Sequence, residues 1–158
     1  MTFKLGKKSN RELRGVHPML VHVVEKAIAI TPVDFSVHDG NRTKAEQKLY
    51  VGLDVSKTME SKHLPQADGW GHAVDLVPYI NGRLRWEWPP IFEIAGAMRI
   101  AAEEEGVRLR WGGCWRELTG TDDSPEKMWL DYHDRCRVAG RKPFADGPHF
   151  ELYGLALD

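Results

Sequence analysis

Three short stretches of the sequence gather side chains that can hold a divalent cation: Ser61-Lys62-His63, Gly71-His72-Ala73-Val74-Asp75, and Asp146-Gly147-Pro148-His149-Phe150-Glu151. Two histidines and one carboxylate form a usual catalytic zinc set, because three protein ligands leave a fourth position for water. The ion lowers the pKa of such a water from 15.7 to about 7, which makes hydroxide available at neutral pH. Strand geometry chooses among the histidines. On an extended 72–77 segment, Asp75 shares a face with Ala73 and Val77, while His72 points away. His63, on the preceding loop, can fold back over that strand, and His149 can meet both from a neighbouring strand. The expected ligands are His63, Asp75 and His149.

Asp146 lies three residues before His149 on a turn made by Gly147-Pro148, within reach of the water without being a ligand, as a general base must be. Arg42, on the loop before a helix, is a candidate for holding a substrate carboxylate or stabilising an oxyanion. Glu151 shares a strand face with His149 and is placed to orient it. Trp111 and Trp115 adjoin the last block and are expected to shape a groove beside it.

These residues need a scaffold. Apolar spacing predicts a helix over 18–30, with Pro18 in its first turn. A short strand is expected over 33–37. Thr43 and Glu46 form a capping box that starts a second helix running to about Val51. Residues 52–71 read as an irregular connection and 72–77 as a buried strand ended by Pro78. A third helix is expected over 91–105 with Gly106 as its stop, a strand over 107–111, a fourth helix over 124–138, and a last strand over 148–153. Helices and strands mix without a βαβ rhythm, so the class is α+β. The chain reads as one domain over 1–158, with a basic arm at 1–14 and a helical insertion at 116–145 expected to wall or cover the groove.

Composition narrows the function classes. A chain of 158 residues buries roughly 70% of its unfolded surface, enough for a core without a structural metal. The formal net charge of −1 argues against nucleic acid as a partner, since polyanion binding rests on a basic face. Only the first fourteen residues lean basic, with Lys4, Lys7, Lys8, Arg11 and Arg14 against Glu12, and they read as a solvated arm. No apolar run is long enough to span a bilayer. The opening MTFKLGKKSNRELRG has charges where a signal peptide needs apolar residues, so synthesis without export is expected. Cys114 and Cys136 fit no disulfide framework and read as reduced, small hydrophobes.

Ser61-x-His63, Gly71-x-Ala73-x-Asp75 and Asp146-x-x-His149-x-Glu151, in that order, resemble the signature of the VanY-like zinc peptidases. That superfamily joins the D-Ala-D-Ala carboxypeptidases and dipeptidases to the hedgehog signalling domain. Arg42 and Gln47 in GNRTKAEQ, and Trp111-Gly112-Gly113-x-Trp115, resemble its phage endolysin branch, the L-alanyl-D-glutamate endopeptidases. The likeness spans residues 15–153. It implies zinc at His63, Asp75 and His149, acid/base work by Asp146, Arg42 near the substrate, and a small antiparallel sheet flanked by helices. The implied substrate is the L-Ala–D-Glu bond of the peptidoglycan stem peptide, and the implied life history is a monomeric lysin that reaches the periplasm once the membrane is opened.

Two departures stand out. Eleven residues separate His63 from Asp75, more than in the usual pattern, which makes Asp68 an outside candidate as a ligand or a calcium-type oxygen donor. Cys114 stands where the branch usually has Asp. The rival readings are a D,D- or L,D-carboxypeptidase on peptidoglycan peptides, and a hedgehog-like zinc-binding module without hydrolysis. Asp146 in the position of the base speaks against the module.

Overall fold

The computed structural model describes residues 2–52 and 61–154. In chain order the elements are α1 (Lys7–Glu12), α2 (Pro18–Ile30), β1 (Phe35–Asp39), α3 (Lys44–Gly52), β2 (Ala73–Ile80), β3 (Arg83–Leu84), α4 (Trp88–Glu104), β4 (Leu109–Trp111), β5 (Arg116–Glu117), α5 (Pro125–Val138) and β6 (His149–Leu152). The strands form one antiparallel sheet in the order β1-β2-β6-β4-β5, with β3 added to β2.

Helix starts follow their local chemistry. His17 Nδ1 accepts the Met19 N–H ahead of Pro18, and Ser124 Oγ accepts the Lys127 N–H ahead of Pro125. Thr43 and Glu46 close the reciprocal capping box: Thr43 Oγ1 accepts the Glu46 N–H, and Glu46 Oε1 accepts the Thr43 N–H. α2 and α4 then press their apolar stripes onto one sheet face. Leu20, Val24 and Ala27 from α2 meet Ile94, Met98 and Ala101 from α4, against Val74, Leu76, Leu109, Trp111, Phe150 and Leu152 of the sheet. Burying a side chain such as Leu20, Leu76 or Phe150 contributes about 1.5–3 kcal/mol, so this layer fixes the strand positions.

Several expectations shift. The first strand lies over Phe35–Asp39, two residues later than expected. β2 does not end at Pro78 but continues to Ile80. The proline is tolerated because the neighbouring Tyr79 N–H keeps the ladder to Asp34 O. Beyond it, Asn81 and Gly82 take left-handed φ values of 52° and 76° in a tight turn to β3, as an Asn-Gly hairpin requires.

The basic segment at 1–14 is not a solvated arm. It folds as α1 against the outer edge of β1, where Ser9 Oγ accepts the Val37 N–H and Lys8 Nζ donates to the carbonyls of Val37 and His38. Leu13 and Val16 enter the core. An edge strand left open is an association hazard, and α1 covers this one.

Within the insertion at 116–145, β5 extends the sheet and α5 joins the core. Met128, Tyr132 and Cys136 of α5 sink into the same core as α4, and Trp129 packs on Trp88 and Phe92 with ring centroids 5.1 and 5.5 Å apart.

Candidate metal centre and active site

Residues paired in register across a sheet share a face. Asp75 lies opposite His149, and both neighbour a second row made of Ala73, Glu151, Arg110 and Glu117. The alternate residues Val74, Phe150 and Trp111 face the helices. One face of the sheet is therefore core and the other carries the polar chemistry.

His63 reaches this face from the loop before β2. Ser61 Oγ accepts the His63 N–H at 3.1 Å, His63 O accepts the Arg42 N–H at 2.8 Å, and Lys62 O accepts the His72 N–H at 2.7 Å. These bonds explain why a hydroxyl residue stands two places before the histidine: it satisfies that residue's backbone at the tight turn.

His63 Nε2 lies 3.2 Å and His149 Nδ1 3.3 Å from the same oxygen, Asp75 Oδ1. Donor atoms of these three residues all lie within 4.8 Å of one another, and they form the one such convergent group among the described residues. The remaining ring nitrogens are engaged from behind. His63 Nδ1 faces Gly40 O at 2.8 Å, and His149 Nε2 faces Glu151 Oε1 at 2.8 Å. Each partner is an acceptor that holds a proton on the outer nitrogen of its ring, so the inner nitrogen, facing Asp75, is the one that can ligate a metal once deprotonated. Two imidazoles and a carboxylate, buried and oriented in this way, fit a divalent transition metal.

The same convergence governs the electrostatics. Burial pushes the Asp75 carboxyl up, but the adjoining His63 and His149 outweigh it and hold the carboxyl well below the usual range. Burial opposes charging of His149, yet its hydrogen bonds to Asp75 and Glu151 and the nearby Asp146 drive its pKa up to about 10. Asp146 moves the other way: burial, then the charge of Asp75, raise it to about 6, against the pull of His149, His63 and Arg42.

The backbone holds Asp146 in place. Its N–H donates to Gly112 O, its carbonyl accepts the His149 N–H, and the Gly112 N–H donates to His149 O. A Cβ on Gly112 would stand 2.3 Å from Asp146 O, so only glycine lets β4 approach this closely.

The other expected residues divide. Trp115 stands beside the site with its ring centroid 5.4 Å from that of His149, and its Nε1–H donates to Phe144 O. Trp111 does not line the groove: it is fully buried and holds the turn from the core side, donating from Nε1 to Gly147 O at 2.7 Å. Arg42 is buried and ion-paired with Asp39, its N–H donates to His63 O, and its charge acts on Asp146. The side chain of Gln47 lies outside the described residues.

His72 turns away from Asp75, as strand alternation predicts. Its Nε2 meets Asp68 Oδ2 at 2.8 Å, with His17 edge-on to it, which also removes Asp68 from the convergent donor set. Cys114 is buried, and burial raises its thiol pKa. The contribution of Gly40 was not read from the sequence, since a backbone carbonyl carries no residue signature.

Comparison with known proteins agrees with this geometry. Residues 1–153 match the family described as phage L-alanyl-D-glutamate peptidase. The chain is 33% identical over 156 residues to the L-alanyl-D-glutamate peptidase of Escherichia phage T5, covering 96% of this chain and 99% of the relative. It is similar to the crystal structure of the Serratia marcescens L-Ala D-Glu endopeptidase ChiX, with a TM-score of 0.69 and 35% identity over 97% of this chain and 90% of that one. With nearly the full length in common, the chain belongs to the phage L-alanyl-D-glutamate peptidase family.

Proposed function

We propose that this peptidase hydrolyses the L-Ala–D-Glu bond of the peptidoglycan stem peptide with zinc held by His63, Asp75 and His149. The observation that carries the reading is the convergence of their three donor atoms, each histidine backed by its own acceptor. Bound there, zinc supplies Lewis acidity towards the scissile carbonyl and a water of lowered pKa.

Asp146 is the acid and base. Burial and the charge of Asp75 raise its carboxyl, and from its place beside His149 it takes a proton from water and returns it to the departing amine. Glu151 orients His149 and the Gly40 carbonyl orients His63. Arg42, fixed by Asp39, offsets the negative charge of Asp146 and Asp75 and steadies His63 through the bond to its carbonyl. Trp115 forms the wall on the His149 side.

No helix among the described residues is long and apolar enough to cross a membrane. We further propose that the protein works as a monomer, as one catalytic domain, on peptidoglycan reached after the membrane has been permeabilised.

Incubation with purified muropeptides, followed by mass spectrometry with and without a chelator, tests the reading. Release of the stem peptide after L-Ala, abolished by chelation and restored by zinc, is expected. Loss of only a terminal D-Ala marks a carboxypeptidase instead, and bound zinc without any product marks a binding module.

A further inference from the structure

Next to the metal centre, on the polar face of β6, β4 and β5, lies an open depression of about 640 Å³. Its floor includes Glu151 and Trp115, the two side chains that also contact His149. Lys62, Arg110 and Arg116 stand around it with Glu117.

The acids here are already committed. Both oxygens of Glu117 accept from Arg108 at 2.9 Å, and Glu151 Oε1 faces His149 Nε2. Lys62 stands close enough to Glu151 to act on it by charge, while Arg116, paired in register with the core-facing Trp111, sends its side chain to the other face of the sheet. Arg110 is held in position: its Nε–H donates to Trp115 O at 3.2 Å, its guanidinium lies 5.1 Å from the centroid of the Trp115 ring, and it shares Glu151, 3.7 Å away, with His149 and the nearby Lys62. Trp115 makes that arrangement at a left-handed φ of 54°, a conformation a bulky residue adopts only when its surroundings enforce it. The outcome is a depression with surplus positive charge one strand row from the candidate ligand His149.

We infer that this depression is a subsite for the free carboxylate of the substrate's D-glutamyl residue, with Lys62 and Arg110 as its cationic walls. The inference rests on the proposed cleavage at L-Ala–D-Glu. A glutamyl residue joined through one carboxyl keeps the other as an anion, and that anion lies on the departing side, a few bonds from the scissile nitrogen. A carboxylate held there positions the departing amine near Asp146, and Arg and Lys together supply both directed and diffuse attraction for it.

The test uses the zinc-loaded protein and two synthetic stem peptides, identical except that one carries a primary amide in place of the free D-glutamyl carboxylate. Wild type is expected to favour the carboxylate peptide at least tenfold in kcat/KM, chiefly through KM. In the Lys62→Gln, Arg110→Gln double variant that preference is expected to fall towards unity. A wild type indifferent to amidation, or a preference that survives the double substitution, overturns the subsite. Calorimetric binding of both peptides to Asp146→Asn protein, with and without the double substitution, reads the same preference without turnover. If wild type cleaves some other bond, the cleavage reading fails while the binding comparison still decides the subsite.

Discussion

Asp146→Asn should make the protein more stable and inactive at once. The carboxyl's rise from 3.8 to about 6 means that ionised Asp146 burdens the folded state, and at 1.36 kcal/mol per pK unit the upper limit is about 3 kcal/mol. The sign follows from proton binding. Between pH 4 and 6 the folded protein holds this proton more tightly than the unfolded chain does, so stability falls as pH rises through that window and the full cost persists above it. Asparagine has nearly the same shape and no charge. In chelator-treated protein at pH 7.5 the variant should gain about 1–3 kcal/mol in denaturant unfolding, or about 2–4 °C in Tm for each kcal/mol. At pH 4 the gain should nearly vanish, because wild-type Asp146 is then largely protonated. Turnover at neutral pH should drop by about 10²–10⁴, the range for loss of a positioned base. A variant no more stable than wild type at pH 7.5, or one whose advantage is the same at both pH values, refutes the account of Asp146 as a buried charge crowded by Asp75.

Glu151→Gln weakens the acceptor behind His149, and zinc affinity measured against a chromophoric chelator should fall about 10–100-fold; an unchanged affinity removes Glu151 from the metal site. Gly112→Ala drives a methyl group into Asp146 O and should cost at least about 1–3 kcal/mol by denaturant midpoint, while Gly96→Ala, in α4 with nothing within 4 Å of the new carbon, should gain up to about 1 kcal/mol. Arg42→Ala strands the buried Asp39 carboxylate and should cost about 3–5 kcal/mol in the same assay. The combined Asp39→Ala, Arg42→Ala change should cost less than Arg42→Ala alone, and strict additivity would deny the pairing.

Where an element's start is written in side chains that bond to their own backbone, the sequence predicts it closely. Thr43 with Glu46, and Ser124 with Pro125, cap α3 and α5 at the residues their types suggest. The N-terminal helix escaped because apolar periodicity is the wrong signal for it. α1 is held by Ser9 and Lys8 bonding to the β1 backbone, a polar attachment that exists only once β1 is in place. The hairpin beyond Pro78 was announced by Asn81-Gly82, a stronger sign than the proline taken as a strand end. Trp111 illustrates how nearness in sequence misleads. Leu109 and Trp111 alternate with Arg110, so a strand that buries the first two must send the arginine, not the tryptophan, to the polar face.

The convergence of Asp75 and His149 was legible for a deeper reason: alternation constrains chemistry and core together. On β6, His149 and Glu151 alternate with Phe150 and Leu152, so a single strand supplies a candidate ligand, the acceptor behind it and two core residues. On β2, Asp75 alternates with Val74 and Leu76 in the same way. A one-residue slip of either strand would turn Phe150 or Val74 towards the polar face and take the ligand into the core, at a cost of several buried apolar side chains. The register that brings Asp75 opposite His149 is therefore enforced by the packing of Val74, Phe150 and Trp111 on the opposite face. Only His63 lacks this protection, since it stands on a loop. Its position depends instead on the Ser61 hydroxyl, the Arg42 N–H and the Gly40 carbonyl, three polar bonds that do for a loop what the hydrophobic layer does for the strands.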